Sequence, residues 1–362
     1  MTQAVALAQY GSTGVSQGFK NRIINGAMVI DQRNAGASVT PANGNYLVDR
    51  FVYYTTQSSK FTAQQNAGSV TTTAGFPKYL GFTSSSAFSV GTNDYFITGQ
   101  PIEGLNVADL GWGTANAKTV TLSFQVYSSL TGTFGGAIQN SAQNRVYPFS
   151  YTISSANTWT SISITIAGDT SGTWLTTSGV GMYVFWSLGA GSNFSGTAGA
   201  WTGSGAYYSA TGATSVVGTN GATFYITGVQ LEVGSTATSF DYRPYTTELL
   251  LCQRYFVKYV GRGTGDYEGI ANGVVGNNNQ RVELISYAPV EMRTKATISF
   301  GGDVRVGDGN SYPSITSVVA NYGGRKNLYY EVAVGSAMTT GRGAYSYTQI
   351  ASTDFFSFSA EL

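Results

Sequence analysis

The sequence predicts an all-β fold: a jelly-roll-like β-sandwich followed by a second, smaller β-sandwich domain, with a short helix between them. Three observations carry that expectation. Only 10% of the 362 residues are charged, against about 25% in ordinary soluble chains. Glycine (47 residues) and tyrosine (25 residues) take their place together with Ser, Thr and Asn, residue types that suit short strands joined by tight turns. Strand-like segments of period two recur between turn clusters at short spacing, as they do in sandwiches. Hydrophobic residues still make up 42% of the chain, enough to give each of two domains its own core.

Taken in order, residues 1–20 are small and polar and are interrupted by Gly11, Gly14 and Gly18, so they read as an arm that orders on a partner. Residues 21–245 form the first domain. Within it Val120, Leu122, Phe124 and Val126 alternate with Thr119, Thr121, Ser123 and Gln125, one apolar face and one hydroxyl and amide face. Ile162, Ile164 and Ile166 repeat the period. Phe224 and Ile226 share a phase that Leu231 and Val233 break, which predicts a bulge near Gly228. Residues 189–221, rich in Gly, Ser, Ala and Thr, form a stretch too long for an ordinary turn. Residues 246–258, with Pro244 just ahead and Leu249, Leu250 and Leu251 inside, predict a short helical linker. Residues 259–362 form the C-terminal β-domain, with alternating segments at 282–287, 296–300, 328–334 and 355–358. No heptad or collagen-like period is present.

Several kinds of chemistry fall away. The net charge is +1, and only Arg145 and Asp169 are charged between Lys118 and Glu232, so the clustered cations that nucleic acid requires are missing. The histidine count is zero, which removes the commonest general base and metal ligand. Gly14, Ser16 and Gly18 match a nucleophile-elbow spacing without a histidine partner. No phosphate-binding P-loop or dinucleotide glycine motif occurs. With Cys252 as the single cysteine, no intrachain disulfide forms. The opening residues are too short an apolar stretch for a signal peptide or membrane insertion. Paired carboxylates alone can hydrolyse a glycosidic bond, but neither Glu103, Asp109, Glu232, Asp241 and Glu248 nor Asp266, Glu268, Glu283 and Glu291 are spaced as an obvious pair. Asn106, Asp109 and Asp169 read as turn residues rather than calcium ligands, and Asp49 as a partner for Arg50 or Arg243. The expectation is a protein with no catalytic residue, cofactor or metal.

Three stretches resemble a recurring signature of bacteriophage tail-fibre and virion-appendage proteins: residues 20–34 (KNRIINGAMVIDQRN) with 48–51 (VDRF), 221–232 (GATFYITGVQLE), and 240–255 (FDYRPYTTELLLCQRY). Residues 120–132 (VTLSFQVYSSLTG) and 157–169 (NTWTSISITIAGD) are similar to strands of carbohydrate-binding-module-like jelly rolls. Residues 288–293 (APVEMR) and 358–362 (FSAEL) look like a second β-domain that follows. The resemblance implies a virion protein made in the host cytoplasm, held to phage tail or neck proteins through residues 1–20, binding host surface polysaccharide, and assembled as a homotrimer. The helix at 249–256 is expected near the three-fold axis, with Cys252 as a small buried hydrophobe. A structural adaptor or head fibre without a receptor, and a polysaccharide depolymerase, are the alternatives.

Two sets of residues suit a glycan, which asks for flat apolar rings and for amides or hydroxyls at their rim. Trp201, Tyr207 and Tyr208 lie in the long glycine-rich stretch, near Asn193, Ser204 and Thr211. Tyr312 and Tyr322 lie in the C-terminal domain, which is the favoured place because an N-terminal anchor leaves that end to reach the cell first. Trp159 and Trp186 fall in strand patterns and read as core, while Trp112, Trp174 and Trp201 fall in turns and glycine-rich segments.

Overall fold

The computed structural model describes residues 20–203, 205–261, 267–349, 351 and 353–362. The attachment arm expected at residues 1–20 lies outside them apart from Lys20. The chain is all-β apart from one α-helix and several 3-10 turns among the described residues, and it divides by contacts into two units.

The first unit is a sandwich of two sheets. One contains Asn45–Tyr46 (β1), Val52–Thr55 (β2), Tyr95–Glu103 (β5), Val180–Ala190 (β10), Gly132–Gln139 (β7) and Val146–Ile153 (β8), in the order β1-β2-β5-β10-β7-β8. The other contains Phe61–Gln65 (β3), Leu80–Ser84 (β4), Thr223–Val233 (β13), Val120–Ser128 (β6) and Thr160–Ile166 (β9), in the order β3-β4-β13-β6-β9. Neighbours in a sheet are mostly distant in sequence, so the chain crosses repeatedly between layers. A short parallel pair, Ser195–Gly196 (β11) with Ser209–Ala210 (β12), breaks up the long glycine-rich stretch.

Inward rings close the sandwich: Phe61 packs on Phe96 at 6.1 Å and Phe124 on Trp186 at 5.4 Å, edge to face. Each buried ring of this size contributes about 1.5–3 kcal/mol. The alternation read at 120–126 forms β6, whose Val120, Leu122, Phe124 and Val126 are all buried. The bulge expected near Gly228 is present as a register shift between Thr227 and Gln230 on β6. Gly228 has φ 60° and lies under the Phe76 ring, so any side chain there meets both a strained backbone and a filled space. Trp186 is core, as expected. Trp159 is only half-buried and packs with Tyr79 and Tyr127.

The second unit has two sheets. Phe256–Val260 (β14), Phe355–Ser359 (β22) and Thr297–Gly301 (β17) are ordered β14-β22-β17. Val304–Gly307 (β18), Gly343–Thr348 (β21), Glu268–Val275 (β15), Arg281–Tyr287 (β16), Asn327–Val334 (β20) and Ile315–Gly323 (β19) are ordered β18-β21-β15-β16-β20-β19. Val282, Leu284, Tyr330, Val332, Phe356 and Phe358 share its core.

Two expectations change. The helix is Tyr245–Gln253 (α1), and the expected continuation to Lys258 is instead β14. Residues 255–260 (YFVKYV) are aromatic and β-branched, so they favour an extended chain, and β14 finds antiparallel partners on β22. The sequence places all of residues 21–245 in the first domain, whereas contacts assign Ile30–Ala37 and Tyr46–Phe51 to the second unit. Arg33 and Arg50 carry that assignment through ion pairs with Glu361. Asp49 accepts from the Gln32 backbone at 3.2 Å, and Arg243 lies 3.9 Å from Asp241.

Candidate functional site

On β21 of the larger sheet of the second unit, small or hydroxyl side chains point inward and large rings outward. On β21, Ala344, Ser346 and Thr348 are buried while Tyr345 is exposed and Tyr347 half-buried. On β16, Val282, Leu284 and Ser286 are buried, and Glu283, Ile285 and Tyr287 face out. Ser286 is satisfied inside, donating to the Ile270 carbonyl at 2.9 Å. The outer face therefore carries apolar surface that this unit leaves in water: Tyr267 is 57% exposed, Tyr287 65%, Tyr312 46% and Tyr345 43%.

These rings line an open groove of about 840 Å³, with Gly269 and Asn272 of β15, Ile285 and Tyr287 of β16, and Arg305 of β18. Tyr345 and Tyr347 lie nearly parallel at 5.7 Å, and Tyr267 meets Tyr347 edge-on at 5.3 Å. Desolvation, with the nearby Tyr312 adding to it, pushes the Tyr345 hydroxyl above its ordinary range. Polar atoms come from Asn272, Gln349 and Arg305. The Arg305 guanidinium is paired with Asp303, at 2.9 Å from Nε and 2.7 Å from Nη2, so the groove carries little net field. Among the described residues its lining contains no Asp or Glu. Rings flanked by amides can stack on an apolar ligand face and bond its polar edge.

Of the five residues singled out from sequence, only Tyr312 lies in this groove. Tyr322 is on β19, stacked on Tyr329 at 4.7 Å, with its hydroxyl donating to Glu331 Oε2 at 2.9 Å. Trp201 packs into a tryptophan cluster, 5.2 Å from Trp112 and 5.5 Å from Trp174, and its Nε1 donates to the Ala167 carbonyl at 2.7 Å. Tyr207 is half-buried against Gly196 and Gly205. Tyr208 is 8% exposed, lies 4.9 Å from Tyr95, and its hydroxyl, pushed up to about 12 by burial, donates to Gln143 Oε1 at 3.1 Å. It closes one side of a smaller hollow, about 270 Å³, over Tyr54, Tyr183 and Phe185. Asn193 donates to Asn93 at 2.7 Å, and Ser204 lies outside the described residues.

The sequence reading passed over Tyr267, Tyr287, Tyr345 and Tyr347. The signal that exposes them is the segment GAYSYT at 343–348, where tyrosines alternate with small residues, so that the bulky side faces out. Several carboxylates are engaged elsewhere: Asp109 pairs with Arg22 at 2.7 Å, Asp169 with Arg145 at 2.6 Å, and Glu291 with Arg325. Asp266 lies outside the described residues. Among the described residues no group of three or more His, Cys, Asp and Glu is placed to hold a metal, and no helix is long and apolar enough to cross a membrane. Cys252 is fully buried.

No family model and no curated protein matches the chain. Solved structures do. The enzymatically active domain of tailspike protein 4 of bacteriophage CBA120 aligns with 59% of this chain and 21% of its own, about a fifth of that protein, at 10% identity and a TM-score of 0.33. The family 11 carbohydrate-binding module from Clostridium thermocellum, in complex with a β-1,3-1,4-mixed-linked tetrasaccharide, aligns over 56% of this chain and 98% of its own at 11% identity and a TM-score of 0.28. The N-terminal CBM22-1–CBM22-2 tandem domain of Paenibacillus barcinonensis Xyn10C aligns over 90% of this chain and 96% of its own, at 8% identity and a TM-score of 0.25.

Proposed function

We propose that this chain is a non-enzymatic adhesion subunit of a phage tail fibre that binds host surface polysaccharide in the tyrosine-lined groove of its second unit. The observation that carries the reading is the groove itself: five tyrosines gathered over one outward sheet face, three on its strands and Tyr267 and Tyr312 beside them, rimmed by amides and one neutralised guanidinium. Rings of this kind bury large area at low entropic cost, so a few of them dominate a binding site. Among the described residues the groove wall carries no carboxylate to serve as a general acid, which favours binding over hydrolysis. The phage setting comes from the sequence signature at 20–51 and 221–255, and with it attachment through residues 1–20 and assembly as a homotrimer.

Gly269 supplies the test. A Cβ there meets nothing within 4 Å, and its φ lies outside the left-handed region, so Gly269→Phe fills the groove without straining the fold. Wild-type protein is expected to bind host cells and a set of glycans on an array, and Gly269→Phe to lose at least tenfold in affinity at unchanged Tm. Equal binding by the plugged variant removes the groove from the reading. Loss of virion incorporation on deleting residues 1–20, a trimeric mass by light scattering, and no release of reducing ends at high protein load are the expected companions. A monomeric mass for folded, active protein would remove the trimer.

A further inference from the structure

The groove ends at Ile285 and Tyr287, but the row of side chains beneath it continues. Cross-strand partners run Gly307, Tyr345, Asn272, Ile285, Tyr329 in one line across β18, β21, β15, β16 and β20. Tyr345, Asn272, Ile285 and Tyr329 are the outward positions of strands whose alternate residues are buried. At the far end Tyr329 stacks on Tyr322 at 4.7 Å and 28°.

That ring pair is held at both hydroxyls. Tyr329 donates to Glu283 Oε2 at 2.5 Å and Tyr322 to Glu331 Oε2 at 2.9 Å. Glu283 and Glu331 are themselves direct cross-strand partners, an arrangement of like charges that is unfavourable on its own. The two hydroxyl donors, with Arg281 at 3.8 Å from Glu331, offset the repulsion and turn exposed Tyr322 and half-buried Tyr329 into a fixed plate.

Resting on the reading of the groove as a glycan site, we propose that the Tyr322–Tyr329 plate is an outlying subsite, and that the ligand is a linear, neutral polysaccharide lying across the strands. Tyr345 and Tyr329 are three strand spacings apart, roughly 14 Å at about 4.8 Å per strand, which one sugar ring cannot bridge and a chain of several does. Sheet twist of about 20–25° per strand turns the plate by roughly 60–75° from the Tyr345 ring, so a twisting chain meets both. Glu283 and Glu331 accept hydrogen bonds from sugar hydroxyls but repel carboxylate or sulfate groups, which makes the ligand neutral at this end.

Calorimetry on the full chain with size-graded gluco-, manno- and galacto-oligosaccharides, and with an oligogalacturonate ladder as the anionic arm, tests this. For the neutral series that binds, affinity is expected to rise at least tenfold from the shortest to the longest member. Tyr322→Ala and Tyr329→Ala should each bring the long ligand down to the affinity of the short one and leave the short one unchanged. Tyr322→Phe, which keeps the ring, should retain most of the gain. If Tyr329→Ala lowers the Tm, the more exposed Tyr322→Ala decides alone. Affinity independent of length, or a length gain untouched by Tyr322→Ala, overturns the subsite and leaves the groove reading standing. An equal gain on the anionic ladder overturns the neutral ligand. Binding of no ladder overturns both.

Discussion

Gly307 lies directly beneath the Tyr312 ring: a Cβ at this position would come within 2.8 Å of Tyr312 Cδ1, and within 2.9 Å of Tyr345 Cζ. Only the missing side chain lets both rings fold down onto β18. Gly307→Ala should therefore push the rings out of the groove. Because both are partly exposed and free to swing, the fold is expected to lose about 1 kcal/mol while glycan affinity falls about tenfold, which is about 1.4 kcal/mol. Paired melting curves and titrations check this. Unchanged affinity would mean that the ring positions do not matter for binding.

Tyr312 is carried by a loop that Asp308 holds shut. Its carboxylate accepts from the backbone N–H of Thr339 at 2.9 Å, Ser311 at 2.7 Å and Asn310 at 2.8 Å. Those bonds, Thr339 first, pull its pKa down to about 2. A depressed carboxylate stabilises the fold above the unfolded value of about 3.9 and loses that contribution as pH falls toward 2. The stability gap between wild type and Asp308→Ala should be flat at neutral pH and close between about pH 4 and 2. At neutral pH the variant should also bind glycan less tightly, since the loop bearing Tyr312 is released. Melting temperatures across the acid range and one titration at pH 7 are the measurements; a gap that persists to pH 2 contradicts the charged bonds.

Much of this fold was readable because strands announce themselves locally. Val120 to Val126 and Leu328 to Val334 alternate cleanly, and the phase slip at Gly228 falls inside the register shift between Thr227 and Gln230. What local periodicity does not contain is which core a segment joins. Residues 30–37 and 46–51 look continuous with the first domain, yet Arg33 and Arg50 meet Glu361 more than 300 residues away. The site divides in the same manner. Tyr312 was nameable only as a tyrosine of the C-terminal domain, and the rest of the groove depends on strand register across β21, β15 and β16. Trp201 shows the opposite limit, since an aromatic ring among glycines packs on its own unit when other tryptophans are within reach.

Asp49 offers a titration at milder pH. Its burial pushes the carboxyl up to about 6, with the Arg33 guanidinium and the Gln32 amide working against that rise. A carboxyl raised in the folded state binds more protons there than in the unfolded chain, so stability is highest below about pH 4 and declines as pH rises toward 6. Two pKa units correspond to on the order of 2–3 kcal/mol. Asp49→Asn keeps an acceptor for Gln32 and should abolish the decline. Denaturant titrations at pH 4, 5, 6 and 7 resolve it, and a wild-type stability that rises over that interval relative to the variant contradicts the assignment.

The last expectation concerns the pair that ties the early segments into the second unit. Arg50 is 1% exposed and Glu361 8% at the side chain, and the Arg50 guanidinium lies 3.6 Å over the Tyr255 ring. Arg33 holds the other Glu361 oxygen at 2.7 Å, and Arg293 donates to the Ala360 carbonyl at 2.7 Å. Removing one partner of a buried pair leaves the other charge without its counterpart, at a cost of about 3–5 kcal/mol. Arg50→Ala should fall in that range, and Arg33→Ala below it, because Arg33 is 16% exposed. Arg50→Lys should recover little, since an ammonium cannot both spread over Tyr255 and reach the carboxylate. Arg50 also sits at φ 71°, which costs a residue bearing a Cβ about 1–2 kcal/mol. Arg50→Gly should consequently be about 1 kcal/mol less damaging than Arg50→Ala, although both delete the same charge. Chemical denaturation of the second unit's transition, run as a double-mutant cycle of Arg50→Ala with Glu361→Ala, should return a coupling above about 1 kcal/mol. Strictly additive losses would mean that the two groups stabilise this unit independently, and equal losses for the glycine and alanine variants would remove the backbone strain.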